Sequence, residues 1–327
     1  IAKNLAAFKN LYVLDGDGSD PMQTATYLAR AIQHIREGHG PALVHLSVPR
    51  LCGHSGQDTQ AYKTEIQIAA EQARDPLPRL QEFVIHEHLM TKQDWAATAL
   101  QAKQDVRAAL AKVRKRPQPD PKYIERYVFS ETGPDGLPEL QQQGGLWPDG
   151  HSFPASTRMK QTEGERINML TSIRRTLYLE LASNPKLVVF GEDVGPKGGV
   201  HAATLGLQDK HGKDRVFDTS LSEEGIIGRA VGMAAAGLMP VPEIQFRKYA
   251  DPAEEQLNDC GTMRWRTVNR FAAPMVVRIP GGFFKVGDPW HSQANEVKWL
   301  HAVGWQLAIP SNAQDAAALL RTAMRDN

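Results

Sequence analysis

Two glutamates and a histidine stand at positions in the chain from which a side chain can transfer a proton to a bound molecule. Glu192 follows the apolar run 187–190, which has the composition of a buried strand. Glu223 follows Ser222, a residue type that caps helix N-termini, and His291 follows a glycine-containing loop. Because ligands of open α/β sheets collect at the carboxyl ends of the strands, these three residues are candidates for proton transfer at a cofactor.

Each of these residues also has a simpler structural interpretation. A glutamate in the first turn of a helix stabilises the helix dipole by about 0.3–1 kcal/mol, and Glu223 would do this without any catalytic role. Glu192 would be a polar residue leaving a strand, and His291 would be a solvated or packed loop residue. Residue type and position alone leave both interpretations open.

Apolar periodicity predicts the alternation of helices and strands that is typical of doubly wound, mostly parallel α/β sheets flanked by helices. In the first part of the chain, a helix over 22–37 precedes a short apolar strand over 42–48, and a long helix follows over 92–114. In the second part, the predicted elements are helices over 166–182, 252–264 and 314–324, a helix from Ser222 to a stop at Gly237, and strands over 187–190, 241–246, 275–279 and 307–309.

Residues 118–165 are rich in proline and glycine and lack apolar periodicity. A connection of this length without secondary structure is uncommon inside one compact domain, so we interpret it as a linker between two structural units. The predicted domains are therefore residues 1–117 and residues 166–327.

Composition argues against several classes of protein. The 327 residues carry a net charge of +1, so the strong basic charge expected of a nucleic-acid-binding protein is missing. No apolar run approaches the about 20 residues that a membrane-spanning helix needs. The two cysteines, Cys52 and Cys260, lie too far apart in sequence to indicate a disulfide framework or a zinc site, and we expect both to be packed thiols in a reducing compartment.

Several short motifs resemble thiamine-diphosphate-dependent 2-oxo acid dehydrogenases. GEDV over 191–194, DTSLSE over 218–223, EIQF over 243–246 and HSQ over 291–293 resemble the β part of that family. RLCGHSGQD over 50–58 resembles the active-site loop of its α part. An α part followed by a β part in one chain resembles the fused form of these enzymes, and it implies the thiamine-diphosphate-binding fold with two partial domains.

The resemblance implies catalytic roles for four residues. Glu223 would hydrogen-bond the aminopyrimidine ring of thiamine diphosphate and activate the cofactor, and Glu192 would relay protons close to it. His54 would reach the cofactor, and His291 would line the substrate channel. Further implied cofactor-binding residues are Gln245 and Tyr249, and the residues implied in positioning the substrate or the loops are Arg50, Ser55, Asp58, Ser292 and Gln293.

Other positions depart from the family pattern. Lys63 replaces an arginine that follows the active-site loop, so we expect a weaker anchoring contact there. The run DGDG over 15–18 is not followed by the paired asparagines of the family's diphosphate site, so we interpret it as a turn before a helix and assign no metal within this chain. The motif that binds Mg²⁺ and the diphosphate is expected before Ile1 and the rest of the β part after Asn327, so the chain resembles a central fragment.

The function implied by the resemblance is oxidative decarboxylation of a 2-oxo acid, either pyruvate or a branched-chain 2-oxo acid. The acyl group would pass to a lipoyl group of a partner acyltransferase, with thiamine diphosphate and Mg²⁺ as cofactors. A homodimer of fused chains is expected, located in the bacterial cytosol or in the mitochondrial matrix of a eukaryote. Two alternatives stay open: an acetoin-cleaving or other thiamine-diphosphate enzyme, and a non-catalytic assembly or regulatory module that retains the fold.

Overall fold

A computed structural model of the chain describes residues 1–135, 166–282 and 290–326. The chain divides into two compact units, Ile1–Gln118 and Pro119–Asn327, called the first and the second unit below. Within the described ranges, no helix is both long enough and apolar enough to cross a membrane. The predicted linker stays a prediction, and its residues 136–165 lie outside the described residues.

The first unit is built on two parallel strands, β1 (Tyr12–Asp17) and β2 (Ala42–Ser47). The helix that connects them, α2 (Pro21–Arg36), begins at Asp20, whose carboxylate accepts hydrogen bonds from the backbone N–H groups of Met22 and Gln23. A proline in the first turn and an aspartate cap both favour a helix start at this point. The other helices of this unit are α1 (Ala2–Leu5), α3 (Glu65–Gln72), α4 (Pro76–His86) and α5 (Lys92–Arg114).

The interpretation of residues 15–18 as a turn is wrong, because Asp15, Gly16 and Asp17 belong to β1. The missing side chain at Gly16 allows α2 to pack closely, since a Cβ atom there would lie 2.6 Å from the ring of Tyr27. Asp15 is paired across the strands with His45, and the distance from Asp15 Oδ1 to His45 Nδ1 is 2.7 Å. Contacts with distant residues therefore stabilise a strand that local composition disfavours.

The second unit contains a parallel sheet in the order β4 (Val216–Asp218), β3 (Leu187–Gly191) and β5 (Met239–Glu243). The predicted strand over 275–279 is an extended segment that runs parallel to β5. The backbone N–H of Arg278 donates to the carbonyl oxygen of Pro242 at 2.9 Å, and the carbonyl oxygen of Arg278 accepts from the backbone N–H of Ile244 at 3.0 Å. The predicted strand over 307–309 is wrong. Its residues form no strand, and the side chain of Ile309 is exposed.

Five helices accompany this sheet: α6 (Met169–Ser183), α7 (Leu207–His211), α8 (Glu223–Ala235), α9 (Glu254–Arg266) and α10 (Ala313–Ala323). Single 3₁₀ helices cover Pro121–Glu125, Arg247–Ala250 and Glu296–His301. The predicted stop of α8 is confirmed, because Gly237 has a positive φ of 91° directly after the helix. Glycine adopts this left-handed conformation without the steric penalty that a side chain would bring.

The central strand β3 is buried on both faces. Leu187 and Val189 pack into one apolar cluster with residues of α6 and α10, and Val188 and Phe190 pack into another with residues of α8 and α9. Successive side chains of a strand point to opposite faces, so a strand between two helical layers must be apolar throughout. This arrangement confirms the predicted doubly wound parallel α/β architecture.

The two cysteines lie in different environments. Cys260 is buried, and burial raises the pKa of its thiol to about 12. Cys52 is exposed in the loop that follows β2. The expectation of a packed thiol is therefore wrong for Cys52, because the loop around it provides no apolar core.

A buried carboxylate joins α6 to α10. Glu180 accepts hydrogen bonds from Arg321 Nε at 2.8 Å and from Arg325 Nη2 at 2.9 Å, and its side chain is only 3% exposed. Removal of the carboxylate would break its hydrogen bonds with both guanidinium groups. Breaking a buried charge pair from one side is more costly than losing a surface pair.

We expect Glu180→Ala to lower the free energy of unfolding of the second unit by about 3–5 kcal/mol. The matched control is Glu254→Ala, because Glu254 pairs with Lys298 on the surface with half of its side chain exposed, and we expect its loss to cost about 1 kcal/mol or less. Chemical denaturation followed by near-UV circular dichroism measures both values. Equal destabilisation by the two variants would contradict the structural role of the buried cluster.

Candidate active site

Two glutamates approach each other where β3 ends and α8 begins. Glu192 directly follows β3 and is 4% exposed, and Glu223 is in the first turn of α8. Burial raises the pKa of Glu192, the negative charges of Glu223 and Asp193 raise it further, and a hydrogen bond from the Gln245 side chain opposes the rise. Glu192 Oε1 is buried and has no hydrogen-bond partner among the described residues. The site therefore favours a protonated carboxyl group at Glu192.

The ends of the three strands are tied together at Gly191. Its carbonyl oxygen accepts a hydrogen bond from Thr219 N, just past β4, at 2.9 Å. A Cβ atom at Gly191 would lie 2.4 Å from the carbonyl oxygen of Glu243 at the end of β5. Only glycine allows this close approach, so the absence of a side chain here brings the carboxyl ends of β3, β4 and β5 to one place.

The turn that follows Glu192 is held by polar contacts. Asp193 has a positive φ of 58°, and its carboxylate pairs with Lys197 on the surface at 2.6 Å. The carboxylate of Asp218, at the end of β4, accepts a hydrogen bond from Gly195 N at 2.6 Å. These contacts shape the turn and leave Glu192 as its buried carboxylate.

A second buried carboxylate near the site is neutralised. Glu243, the last residue of β5, pairs with Arg278 at 2.6 Å, and the two side chains are 2% and 11% exposed. Gly199 packs against this pair, because a Cβ atom there would lie 3.1 Å from Glu243 Oε1. Glu243 is thus part of the scaffold, whereas Glu192 forms no salt bridge with a cationic side chain of the described residues.

An aromatic cluster follows Gln245 along the chain and consists of Phe246, Tyr249, Trp290 and His291. The His291 ring centroid lies 5.2 Å from Phe246, 5.4 Å from Tyr249 and 5.0 Å from Trp290. The backbone carbonyl of His291 accepts a hydrogen bond from Lys248 N at 3.3 Å. The predicted site residues Tyr249 and His291 therefore share one apolar environment with edge-to-face ring contacts.

Ser292 and Gln293 follow residues 283–289, which lie outside the described residues. Ser292 is buried, and the Gln293 carbonyl accepts a hydrogen bond from Gly282 N at 3.2 Å. The Gln293 side-chain oxygen accepts from Asn295 Nδ2 at 3.2 Å. The roles of Ser292 and Gln293 in substrate positioning stay predictions.

The predicted α-type loop in the first unit is organised around Asp58. Its carboxylate accepts hydrogen bonds from the backbone N–H groups of His54 at 2.7 Å and Gln60 at 2.9 Å, and Arg50 Nη2 lies 3.7 Å away. These contacts, with the His54 hydrogen bond as the largest contribution, lower the pKa of Asp58. The side chains of His54 and Ser55 are exposed on this loop.

Lys63 anchors the same loop, although a weaker contact was expected for a lysine at this position. Its ammonium group pairs with Glu71 of α3 and donates to the carbonyl oxygen of Arg50 at 3.4 Å. The side chain is only 12% exposed. The lysine thus connects the start of the loop to the helix that follows it.

The structure brings together Glu192, Glu223 and Gln245 at the strand ends, and Tyr249 and His291 in the aromatic cluster. The His54 loop belongs to the first unit, and its joining with the carboxylates of the second unit stays a prediction. Two features were missed. The hydroxyl group of Thr219 is buried at the strand ends and has no hydrogen-bond partner in the part of the chain that the structure describes. Phe246 and Trp290 belong to the aromatic cluster but were not predicted as site residues.

A sequence signal exists for Thr219, which belongs to the same six-residue motif as Glu223. Phe246 and Trp290 adjoin Gln245 and His291 in the sequence, but such adjacency is not a distinctive signal. Among the residues that the structure describes, no cluster of three or more histidine, cysteine or carboxylate side chains could hold a metal ion.

Comparisons with protein families give two separate matches, which correspond closely to the two units of the chain. Residues 4–122 match the family described as Dehydrogenase E1 component. Residues 165–327 match the family described as Transketolase, pyrimidine binding domain. The first match covers the His54 loop, and the second covers the carboxylates at the strand ends and the aromatic cluster.

Curated relatives match part of the chain. The chain is 44% identical over 155 residues to 2-oxoisovalerate dehydrogenase subunit beta of Pseudomonas aeruginosa, which is 47% of this chain and 44% of that protein. It is 43% identical over 162 residues to 3-methyl-2-oxobutanoate dehydrogenase subunit beta of Mycobacterium tuberculosis, which is 49% of this chain and 46% of that protein. The chain thus spans about half the length of the curated relatives it matches.

Among solved structures, a transketolase from Leishmania mexicana is similar to 97% of this chain and 44% of its own length, with 14% identity and a TM-score of 0.47. A transketolase mutant from Pichia stipitis gives a TM-score of 0.46 with 12% identity, over 97% of this chain and 45% of its own length.

The raised pKa of Glu192 predicts a pH dependence of stability. Ionisation of this glutamate costs free energy only in the folded state, so stability falls as the pH rises from the ordinary glutamate pKa of about 4.3 through the higher folded-state pKa. Glu192→Gln removes this cost. We therefore expect the melting temperature of the variant to fall less than that of the wild type between about pH 4 and about pH 8.

Thermal unfolding monitored across this pH range measures the effect, with Glu224→Gln as the control because Glu224 is exposed in the same helical turn as Glu223. The control should keep the wild-type pH profile. Parallel profiles for the wild type and Glu192→Gln would show that the environment of Glu192 does not favour its protonated form.

Proposed function

We propose that this chain, which belongs to the thiamine-diphosphate-dependent 2-oxo acid dehydrogenases, contributes to the oxidative decarboxylation of a branched-chain 2-oxo acid. The preference for a branched-chain substrate over pyruvate rests on the names of the curated relatives, which refer to 2-oxoisovalerate and 3-methyl-2-oxobutanoate. Because the chain spans about half of those relatives, activity, substrate and partners are proposals for the protein as a whole.

The observation that carries the proposal is the pair formed by the buried Glu192 and the half-buried Glu223. Within the described residues, Glu192 Oε1 is buried without a hydrogen-bond partner, and the raised pKa of this residue favours a carboxyl group that can donate a proton. The aminopyrimidine ring of thiamine diphosphate offers nitrogen atoms that hydrogen-bond carboxyl and carboxylate groups. The residues present therefore fit this cofactor, and Glu223 and Glu192 would hold its ring at the carboxyl ends of the strands.

When bound, thiamine diphosphate supplies the electron sink that decarboxylation of a 2-oxo acid requires. The protein residues would bind, orient and handle protons around it. Glu223 would hydrogen-bond the ring, Glu192 would keep a proton next to it, and Gln245 would hold the Glu192 carboxyl group in place. A buried carboxyl group with a raised pKa, such as that of Glu192, is suited to such proton transfer.

The remaining predicted residues would act on the substrate. His291, packed among aromatic rings, would contribute an imidazole that forms a hydrogen bond with the substrate. Tyr249 and Phe246 would keep water away from the reacting atoms. His54 would reach the same site from the α-type loop, whose shape is maintained by Asp58 and Lys63.

The proposal extends to partners and location. The acyl group would be transferred to a lipoyl group of a partner acyltransferase, and Mg²⁺ with the diphosphate would be bound outside the described residues. We also propose that the protein forms a homodimer and is located in the bacterial cytosol or, in a eukaryote, in the mitochondrial matrix.

We expect Glu223→Gln in the full-length protein to lower kcat for 3-methyl-2-oxobutanoate by about 10²–10⁴-fold, the range for loss of a general acid or base. Glu224→Gln is the matched control, because it changes the neighbouring glutamate of the same turn, which is exposed. Reduction of an artificial electron acceptor that depends on the 2-oxo acid measures turnover.

The same assay with pyruvate and with acetoin tests the substrate class. Turnover of 3-methyl-2-oxobutanoate above that of pyruvate supports the branched-chain assignment, whereas cleavage of acetoin alone would replace it. A folded full-length protein that turns over none of the three compounds would contradict the enzymatic proposal and favour a non-catalytic assembly module.

A further inference from the structure

In the first unit, one hydrogen bond joins the two residues that flank a long segment of the chain. Residues 48–73 follow β2 and contain the His54 loop and α3, and Arg74 comes directly after them. Arg74 Nη2 donates to the carbonyl oxygen of Ser47, the last residue of β2, at 3.2 Å. The exit and the return of the loop are therefore joined at the carboxyl end of β2.

The same arginine also reaches the neighbouring strand. Arg74 Nη2 donates to Asp17 Oδ1, at the end of β1, at 2.9 Å. Arg79 of α4 approaches from the other side, with Nη1 3.3 Å from Asp17 Oδ2 and 3.0 Å from Ser19 Oγ. We call Asp17, Ser19, Ser47, Arg74 and Arg79 the clasp.

The carboxylate of Asp17 is the centre of the clasp. Its Oδ1 accepts from Ser19 Oγ at 2.7 Å and from Ser19 N at 2.9 Å, and Ser19 is fully buried. These two hydrogen bonds, followed by the one from Arg74, hold the pKa of Asp17 well below its usual range. The ion pairs are partly exposed and individually weak, but they share one carboxylate and so act as a network.

The loop has few other polar connections to the sheet. Within the described part of the chain, the hydrogen bonds of residues 48–73 run inside that segment or to the backbone N–H groups of Arg74 and Asp75. The Asp58 network and the contact of Lys63 with Glu71 hold the loop to itself. They give the loop its shape but do not fix its position relative to β1 and β2.

The clasp is also not needed to form the elements that it connects. The strands β1 and β2 pair over six positions in parallel register. Helix α4 begins at Asp75, whose carboxylate caps it by accepting from Leu77 N at 2.9 Å. The contacts of Arg74 and Arg79 with Asp17 therefore add a connection between the sheet and the segment that carries His54.

We propose that Asp17, Arg74 and Arg79 are positioning residues that hold the His54 loop against the carboxyl ends of β1 and β2. The catalytic use of that loop rests on the function proposed above, whereas the mechanical role of the clasp does not. Among the described residues of the first unit, none of the three forms a hydrogen bond or ion pair with His54. Asp17, Arg74 and Arg79 act through the loop. Their loss should make the loop more mobile, while the pairing of β1 with β2 persists.

Limited proteolysis of the full-length protein with trypsin tests the mechanical role, because Arg50 and Lys63 are cleavage sites within the loop. We expect Asp17→Asn and Arg74→Gln each to accelerate cleavage after Arg50 and Lys63 by about tenfold, since cleavage follows the population of the open loop. Cleavage after Arg114, at the end of α5, serves as the internal reference and should keep its wild-type rate.

Two further variants separate the clasp from general effects. Asp15→Asn removes a carboxylate from the same strand that pairs with His45 and lies outside the clasp, and it should leave loop cleavage unchanged. Arg74→Lys keeps a cation that can reach Asp17, and its loop should be cleaved more slowly than that of Arg74→Gln. If Arg74→Gln does not fold, Asp17→Asn and Arg79→Gln carry the same comparison.

The proposal is overturned if cleavage in the loop stays at the wild-type rate in the clasp variants, or if cleavage at Arg114 rises to the same extent. In the full-length enzyme, we expect the clasp variants to lower kcat by a larger factor than they raise the Kd for thiamine diphosphate, whereas general unfolding would abolish both turnover and cofactor binding. Absence of turnover in the wild type would defeat the proposed function and leave the proteolysis result to decide the role of the clasp.

Discussion

The burial of β3 on both faces is the constraint on which the rest of the second unit depends. Two helical layers cover this strand, so its apolar residues have no solvent-exposed face. The first polar side chain after the strand is Glu192, which is consequently withdrawn from water. The close contact at Gly191 brings the ends of β4 and β5 to the same place. The same burial that packs β3 between the helices therefore also raises the pKa of Glu192.

Three buried glutamates of the second unit show what distinguishes a candidate catalytic group from a structural one. Glu180 binds two arginines, and Glu243 binds Arg278, so both negative charges are compensated. Glu192 lies instead beside another glutamate, with one carboxyl oxygen unpartnered. An arrangement that costs stability without a structural benefit is typical of a functional site. The position of Glu192 at the end of a parallel strand fits this interpretation.

Much of the architecture could be predicted from the sequence, because strands buried on both faces are continuous apolar runs. The strands at 187–190 and 241–246 were recognisable for this reason, with small differences at their ends. Strand β1 was missed because it contains Asp15, Gly16 and Asp17, whose polar groups are satisfied by His45, Arg74 and Arg79. Partners 30 to 62 residues away leave no trace in a local pattern. Strand β4 has only three residues, which is too short for periodicity to detect.

The candidate site, too, could be predicted only in part from the sequence. Glu192, Glu223 and His291 were identified by their motifs, since these short patterns are local. The unpartnered oxygen of Glu192 and its raised pKa depend on distances between segments, so no pattern could reveal them. Phe246 and Trp290 were overlooked because an aromatic residue beside a candidate site residue has no distinctive spacing. Their contacts with His291 become visible only when the chain is folded.

Calorimetric titration of thiamine diphosphate with Mg²⁺ into the full-length protein tests the central claim most directly, with Glu223→Ala and Glu224→Ala measured beside the wild type. If the glutamates at the strand ends hold the cofactor ring, the wild type and Glu224→Ala bind alike, and Glu223→Ala binds at least about tenfold more weakly, a loss of about 1.4 kcal/mol. Equal binding by all three proteins, or no heat of binding in a folded wild type, would contradict the assignment of this site.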